Sequence, residues 1–324
     1  MWQYLDPAFA FGLNQFPQTC TKNVLIMNKR ILLLWGLLFG TNLLLACDVC
    51  GCSANGYGAG LLSAYRYNTM SVRWFYSPFE QVLNQGIPTK DGFNRVDFNL
   101  RYHIRGRWIG SLVQPYQWNH RMGPDRSFTL DGLGDFRFTL SYVLLDNILI
   151  GEKGQLYWEY GAGLKAPTGK FDDDIHQSRL PENFNIGNGS WASLWQTSIL
   201  YNWSQFGWAT NMAYQLNGRT EEDYHFGNQL SLSSMCFVRQ SLSESAELIP
   251  FAGIFYEKIH QDLFYEDNAA HATGGEGYYL TAGLNTKYRD FLLGCSIFTP
   301  FQQNYAEGEM QAKTRLTLEL TYAF

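Results

Sequence analysis

The sequence has few charged residues and almost no long apolar runs. Charged residues are 16% of its 324 positions, against about a quarter in an ordinary soluble domain. The mean hydropathy is −0.23 although 46% of the residues are hydrophobic, so apolar and polar residues must be interleaved. This excludes a bundle of membrane helices and a disordered chain. With 24 basic and 29 acidic residues and no basic patch, nothing indicates a nucleic-acid partner.

The one long apolar segment lies near the start, from Ile31 to Ala46. Lys29 and Arg30 precede it and Cys47 follows, which is the arrangement of a signal peptide. A single transmembrane helix is the alternative, since about 20 apolar residues can span a bilayer. We predict three N-terminal parts: an upstream extension or misassigned start at 1–26, a cleaved signal peptide at 27–46, and a Cys-containing periplasmic segment or plug at 47–68.

Three closely spaced cysteines open the predicted mature chain. Leu44-Leu45-Ala46-Cys47 resembles the lipobox of bacterial lipoproteins, in which the cysteine carries the lipid. Cys47 also forms Cys-x-x-Cys-x-Cys with Cys50 and Cys52, a pattern that can hold a soft metal ion or close a disulfide. If Cys47 is lipidated, the other two thiolates cannot complete a tetrahedral site without outside ligands. Lipidation of Cys47, a metal or redox site at Cys50 and Cys52, and an inert exported cluster all stay open.

From position 69 to the end, the sequence alternates between apolar and polar residues in segments of about ten. In the last segment Leu318 and Leu320 share one face with the terminal Phe324, while Glu319 lies on the other. This period is typical of the strands of outer-membrane barrels. A soluble β-sandwich is the alternative. The terminal aromatic strand also resembles the signal that barrel-assembly machinery reads.

The alternation predicts twelve strands. The connections between them tend to alternate between long and short along the chain. The first, third, fifth and ninth connections are long, whereas Gly106, Trp203-Ser204 and Tyr288-Arg289 make tight returns; only the seventh (218–223), shorter than the eighth (239–247), breaks the trend. Long outer loops and short periplasmic turns are expected of a barrel.

We therefore predict an all-β fold, an antiparallel transmembrane β-barrel over 69–324 in the outer membrane of a Gram-negative bacterium, surrounded by lipid. The predicted strands are 69–79, 93–105, 107–118, 132–145, 154–166, 190–202, 205–217, 224–238, 248–259, 275–287, 290–301 and 311–324.

Two motifs carry a family resemblance. Gly132-Leu133-Gly134-Asp135 leads into one strand, and Gly163-Leu164-Lys165-Ala166-Pro167-Thr168-Gly169-Lys170 closes the next. Together they resemble the outer-membrane family labelled for the MetA pathway of phenol degradation, and the Cys-x-x-Cys-x-Cys start is similar to members from Bacteroidetes-type bacteria. The resemblance implies a channel or transporter. The glycines and Pro167 suit strand ends, which favours an architectural role for both motifs.

We predict a passive outer-membrane channel or transporter for small polar or hydrophobic solutes, with no bound cofactor. Charged residues on the inner face would line its lumen, either as a polar passage or as an ion-pair network that packs the interior. The candidate lumen residues are Arg73, Asp97, Arg101, Arg137, Glu159, Lys165, Glu257, Lys287, Arg315 and Glu319.

Two other functions stay open. Histidines in or near predicted outer loops (His120, His176, His225, His260 and His271) accompany acidic runs and could ligate a metal ion at the surface of a closed barrel with a structural or adhesive role. Ser127 near His120, or Asp174 near His176, could serve an outer-membrane enzyme. Neither pair belongs to a recognised motif, so we predict that the protein is not an enzyme.

Overall fold

The computed structural model describes residues 67–81, 89–123, 126–178, 180–264 and 268–324. The predicted extension, signal peptide and cysteine sites at Cys47, Cys50 and Cys52 lie outside the described residues. Within those residues, no helix has the length and apolar character needed to cross a membrane. Three single turns of 3₁₀ helix occur, at Ile175–Ser178, Glu182–Phe184 and Ala306–Gly308.

The described residues form seventeen strands. They are β1 (Thr69–Gln81), β2 (Thr89–Arg105), β3 (Trp108–Met122), β4 (Ser127–Leu133), β5 (Phe136–Ile150), β6 (Gly154–Ala166), β7 (Ala192–Trp203), β8 (Phe206–Asn217), β9 (Gln229–Val238), β10 (Gln240–Ser243), β11 (Ala246–Ile259), β12 (Leu263–Phe264), β13 (Asn268–Ala269), β14 (Gly275–Tyr288), β15 (Phe291–Tyr305), β16 (Met310–Ala312) and β17 (Arg315–Ala323).

These strands close into a barrel of twelve antiparallel strands. Short breaks divide three of the twelve into β4 with β5, β9 with β10, and β16 with β17, while β12 and β13 form a separate small hairpin. Strand β17 pairs with both β15 and β1, so the last strand returns to the first. Closure gives each of the twelve strands a hydrogen-bonding neighbour on both sides, although the segments β4 and β10 pair on one side only, with β3 and β11. The predicted twelve-stranded antiparallel barrel is confirmed.

The connections at the two ends of the barrel differ in length. At the end that carries Thr69 and the C-terminus, consecutive strands are joined by two or three residues, at 106–107, 151–153, 204–205, 244–245 and 289–290. The opposite end carries the long connections, including 167–191, 218–228 and 260–274. Since short turns lie in the periplasm, the long connections mark the outer end.

Three predicted connections were wrong: the third, the seventh and the eighth. Strand β9 begins five residues later than predicted, because 224–228 is held in the outer loop, where His225 forms bridges to Arg219 and Leu263. Its continuation to Ser243 shortens the eighth connection to 244–245, so the expected exception to the parity disappears. The third connection is also shorter than predicted, because β3 and β4 extend beyond the other strands as a hairpin.

The barrel is apolar outside and polar inside. Leu280 and Leu318 on its outer face are 59% and 46% exposed, whereas Arg73 and Asp97 on its inner face are each 5% exposed. This reverses the distribution of a soluble protein. An outer face of exposed leucine, valine and aromatic side chains is suited to lipid.

We predict a depth-dependent cost for a charge on the outer face. Leu318→Arg, about midway along β17, should lower the free energy of unfolding by about 2 to 4 kcal/mol, because it places a guanidinium near the middle of the bilayer. The matched control Leu242→Arg makes the same change in the exposed β10 at the periplasmic rim, where the cost should be about 0 to 1 kcal/mol. Urea titration of both variants in lipid vesicles measures the difference, and equal losses would contradict the assigned depths.

Candidate transport pathway

Apolar side chains fill the interior toward both ends of the barrel. We call the first group the loop-side cluster; it includes Phe79, Phe93, Phe184, Phe298 and Tyr305. The second, the turn-side cluster, lies next to the periplasmic turns and includes Ile109, Val143, Tyr157, Leu200 and Phe237. Charged side chains lie on the inner face between the two clusters.

A chain of ion pairs crosses β17, β1 and β2. Arg73 on β1 stands opposite Glu319 and Asp97 on its two neighbours, and its guanidinium lies 2.7 Å from the Glu319 carboxylate. Asp97 lies 3.0 Å from Arg95 and 3.5 Å from Arg137. Three arginines thus share two carboxylates, which leaves this side of the lumen positive.

The next pairs lie on β2, β5 and β6. Arg101 donates two hydrogen bonds to Glu159, at 3.2 and 2.6 Å, and Tyr157 donates a third at 2.6 Å. Lys165 lies 3.5 Å from Asp135, at the start of β5. Bidentate guanidinium–carboxylate pairs hold both side chains in one geometry, so these strands form a rigid charged surface.

A separate buried group lies within the loop-side cluster. Arg315 donates to both oxygens of Glu257, at 2.8 and 2.6 Å. Tyr279 and Tyr305 also donate to this carboxylate, and the Arg315 guanidinium lies 4.3 Å from the centre of the Tyr279 ring. Because these partners surround the ion pair, Arg315 and Glu257 are part of the packed core of the barrel.

Lys287 is the most accessible of the ten predicted lumen residues. It lies on the inward side of β14 near the periplasmic rim, with its Nζ 6.0 Å from the centre of the Tyr67 ring. The other nine are buried on the inner face. All ten therefore point into the interior, and their part in transport stays a prediction.

The sequence analysis missed three inward charges. Arg95 pairs with Asp97, and Arg121 donates two hydrogen bonds to Asp91, at 2.7 and 2.5 Å. Asp91 and Arg95 lie an even number of residues from Asp97 on β2, so all three side chains point to the same face. Arg95 lies within the predicted strand 93–105 and could have been found there, whereas Asp91 lies in the four residues by which β2 begins earlier than predicted.

Opposite the ion pairs the wall carries no charge. Strands β7, β8 and β9 contain no Asp, Glu, Lys, Arg or His. Their inward side chains are short or neutral, such as Ser198, Asn211, Ala213 and Ser233. We call these three strands the uncharged wall, and β1, β2, β5 and β6 the ion-pair wall.

The two walls enclose a central chamber of about 110 Å³. The ion-pair wall contributes Arg73, Arg101 and Arg137, and the uncharged wall contributes Ser198 and Asn211. A second cavity of about 30 Å³ shares Arg137 with the chamber and is also lined by Arg95, Lys165 and Asn188. Arg137 therefore lies at the boundary between the chamber and the second cavity.

The long connection 167–191, which we call the lumen segment, enters the barrel from its outer end. Phe184 and Ile186 in this segment are fully buried, at 0% and 2% exposure. Asn119 donates a hydrogen bond of 2.9 Å to the Phe184 carbonyl, and Gln117 donates one of 2.8 Å to the Ile186 carbonyl. The segment thereby joins the loop-side cluster and lines the second cavity through Ile186 and Asn188.

One carboxylate anchors both ends of the lumen segment. Asp135 accepts hydrogen bonds from the backbone N–H groups of Gly169 and Asn188, each at 2.9 Å. A Cβ at Gly169 or Gly187 would lie 2.9 or 2.7 Å from Asp135 Oδ1, too close for a side chain. The two motifs that carry the family resemblance therefore meet here, and their glycines make room for the carboxylate.

One acidic residue within the lumen segment, Glu182, is sensitive to pH. Burial raises the pKa of Glu182 to about 7, although the neighbouring His176 opposes the rise and Asp172 and Asp173 add to it. His176 Nδ1 lies 3.6 Å from the Glu182 carboxylate. The docked segment thus binds a proton more tightly than a solvated glutamate does.

The residues proposed for a metal site or an enzyme do not come together. His120 lies in β3, not in a loop, and contacts Thr129 rather than Ser127. Asp174 accepts a hydrogen bond from Gln177, whereas His176 faces Glu182. Within the ranges the structure describes, no three His, Cys, Asp or Glu side chains are grouped to hold a metal ion.

No protein-family model matches the chain, and no curated protein is similar to it in sequence. Among solved structures, an outer membrane channel from Pseudomonas putida F1 is similar with a TM-score of 0.58, at 13% identity over 80% of this chain and 96% of that chain. The translocator domain of autotransporter NalP from Neisseria meningitidis reaches a TM-score of 0.43, at 11% identity over 82% and 92% of the two chains. The beta domain of the Bordetella autotransporter BrkA reaches 0.46, at 11% identity over 80% and 100%.

The first of these likenesses confirms the predicted fold. The closed barrel with its exposed apolar outer face agrees with the predicted location in the outer membrane of a Gram-negative bacterium. The narrower resemblance to the MetA-pathway family stays a prediction, because no family model matches.

We predict that Asp135 controls the docking of the lumen segment. Asp135→Asn keeps the size of the side chain but leaves only one acceptor oxygen for two N–H groups. Because a hydrogen bond to a charged group contributes about 1.5 to 3 kcal/mol, the amides of Gly169 and Asn188 should exchange with solvent at least about tenfold faster. Hydrogen–deuterium exchange measures this. The control Asp173→Asn changes an exposed carboxylate of the same segment, and equal acceleration in both variants would contradict the role of Asp135.

We predict that docking of the lumen segment weakens as pH rises from about 5 to 7. The docked pKa of Glu182, about 7, lies above its ordinary value of 4.5, so the docked state holds the proton more tightly and loses stability between these values as the carboxyl ionises. Amide exchange of 180–186, corrected for the intrinsic rate at each pH, should increase over this range. Glu182→Gln should abolish the change; its persistence would show that another group titrates.

Proposed function

We propose that the protein is a passive outer-membrane channel for small polar solutes, and that the central chamber is the middle of its pathway. The observation that carries this proposal is the asymmetry of the chamber: paired charges on one wall face short neutral side chains on the other. A barrel built only for packing has no need of a space of about 110 Å³ lined by charged side chains in its middle. The similar structure from Pseudomonas putida F1 is named as an outer membrane channel, which supports the same function.

The charges along the pathway favour anions. Five basic side chains line the two cavities (Arg73, Arg95, Arg101, Arg137 and Lys165) against three acidic ones (Asp97, Asp135 and Glu159). In a narrow pore with low-dielectric walls, such an excess raises the local concentration of anions.

The lumen segment acts as the gate on the outer side. Its contacts with Gln117, Asn119 and Asp135 hold it over the cavities, so the docked arrangement is the closed or nearly closed state. Release of the segment connects the chamber with the outer loops.

Planar-bilayer recording tests the proposal. The mature protein should show discrete conductance steps with a reversal potential that indicates anion preference in a salt gradient, and Asp135→Asn should raise the open fraction several-fold. The charge-removing variant Arg137→Gln should lower the anion preference, because Arg137 lines both cavities.

Silence of the mature protein and of Asp135→Asn would contradict a gate at the lumen segment. If a chain that begins at Thr69 then conducts, the block lies in 47–68, the predicted plug. If that chain is silent as well, the protein is a closed barrel with a structural role.

A further inference from the structure

We infer that the central chamber selects small monocarboxylates that carry a hydroxyl group, with the carboxylate on the ion-pair wall and the hydroxyl group on the uncharged wall. The inference rests on the proposed channel function and names its class of solute. The two walls differ in charge, hydrogen-bonding groups and shape, and each difference restricts the solute.

The size of the chamber limits the solute to a few carbon atoms. A cavity of about 150 Å³ accommodates benzene, and the chamber measures about 110 Å³. An acid of about two to four carbons has the corresponding size. Val113 and Leu194 supply apolar contacts for its carbon atoms.

The ion-pair wall fits one carboxylate. Of the arginines that line the chamber, Arg73 pairs with Glu319 and Arg101 with Glu159, while Arg137 shares Asp97 with Arg95. Four guanidinium groups therefore face three carboxylates. Guanidinium groups present paired N–H donors that match a carboxylate in a bidentate geometry, which a simple ion such as chloride cannot exploit. Arg137 lies 3.5 Å from Asp97, whereas Arg95 lies 3.0 Å from the same carboxylate, so Asp97 is held more closely by Arg95.

The uncharged wall excludes a second charge and accepts a hydroxyl group. Ser198, Asn211 and Gln196 line this side of the chamber, and no charged side chain exists on β7, β8 or β9 to neutralise a second carboxylate. Taking an ion out of water without a partner is costly, so a dicarboxylate of similar size is disfavoured. Asn99 lies on β2, in the ion-pair wall; its amide oxygen makes no hydrogen bond within the described residues and adds an acceptor for the hydroxyl group on that side of the chamber.

The test measures block of the chloride current by four solutes of similar size: lactate, propionate, malonate and glycerol. Lactate should halve the current at a concentration at least tenfold below that of malonate or glycerol, with propionate in between because it lacks the hydroxyl group. Arg137→Gln should weaken the block by lactate and by propionate at least tenfold. Arg137→Lys, which keeps the charge but not the paired donors, should retain anion preference and lose most of the block.

A second pair of variants isolates the uncharged wall. Ser198→Ala should weaken the block by lactate several-fold and leave that by propionate unchanged, since only lactate has a hydroxyl group to lose a partner. Ser77→Ala, in a buried position away from the chamber, should change neither. Conductance with equal block by all four solutes would overturn the inference while leaving the channel function intact.

Absence of conductance in every variant would overturn the channel function instead. In that case, isothermal titration calorimetry of the protein in detergent with lactate tests the inferred binding of the solute without requiring conductance. Heat release that Arg137→Gln abolishes would support it, and no heat release would overturn it.

Discussion

The structure depends on one constraint: a closed barrel in lipid must point every second side chain into its own interior. Closure satisfies the backbone hydrogen bonds, but the interior of twelve strands is narrow and much of its water is excluded. Charges on the inner face must therefore find partners there. Arg73 with Glu319, Arg101 with Glu159 and Arg315 with Glu257 meet this need across neighbouring and more distant strands.

Concentrating the ion pairs on one side determines where the open space lies. Long arginine and glutamate side chains fill the half of the interior next to β1, β2, β5 and β6. The strands opposite them carry short neutral side chains such as Ser198 and Ala213, and the chamber lies against these. In the channel that we propose, this asymmetry makes the pathway selective, because a solute in the chamber meets charged groups on one side and neutral groups on the other.

Much of this fold could be predicted from the sequence, because strand alternation is local. The period of two placed Leu318 outside and Glu319 inside, and the parity of the connections indicated the outer end. The partners could not be predicted in this way: Arg101 and Glu159 lie 58 residues apart, and their contact depends on the register of several strands. The docking of the lumen segment was missed for a similar reason, since Phe184 and Ile186 lie in a predicted outer loop rather than in a strand. Its anchor, Asp135, belonged to a motif interpreted only as a strand end.

The central claim is that the aqueous pathway follows the uncharged wall. Thiol accessibility tests it most directly, in a protein whose native cysteines are replaced by serine. A small anionic methanethiosulfonate reagent should modify Ser198→Cys, which lines the chamber, at least tenfold faster than Ser77→Cys, which is buried at 0% exposure among the side chains of the opposite wall. A cationic reagent of the same size should react more slowly with Ser198→Cys than the anionic one. Equal rates at the two positions, or faster modification at Ser77→Cys, would contradict the assigned pathway.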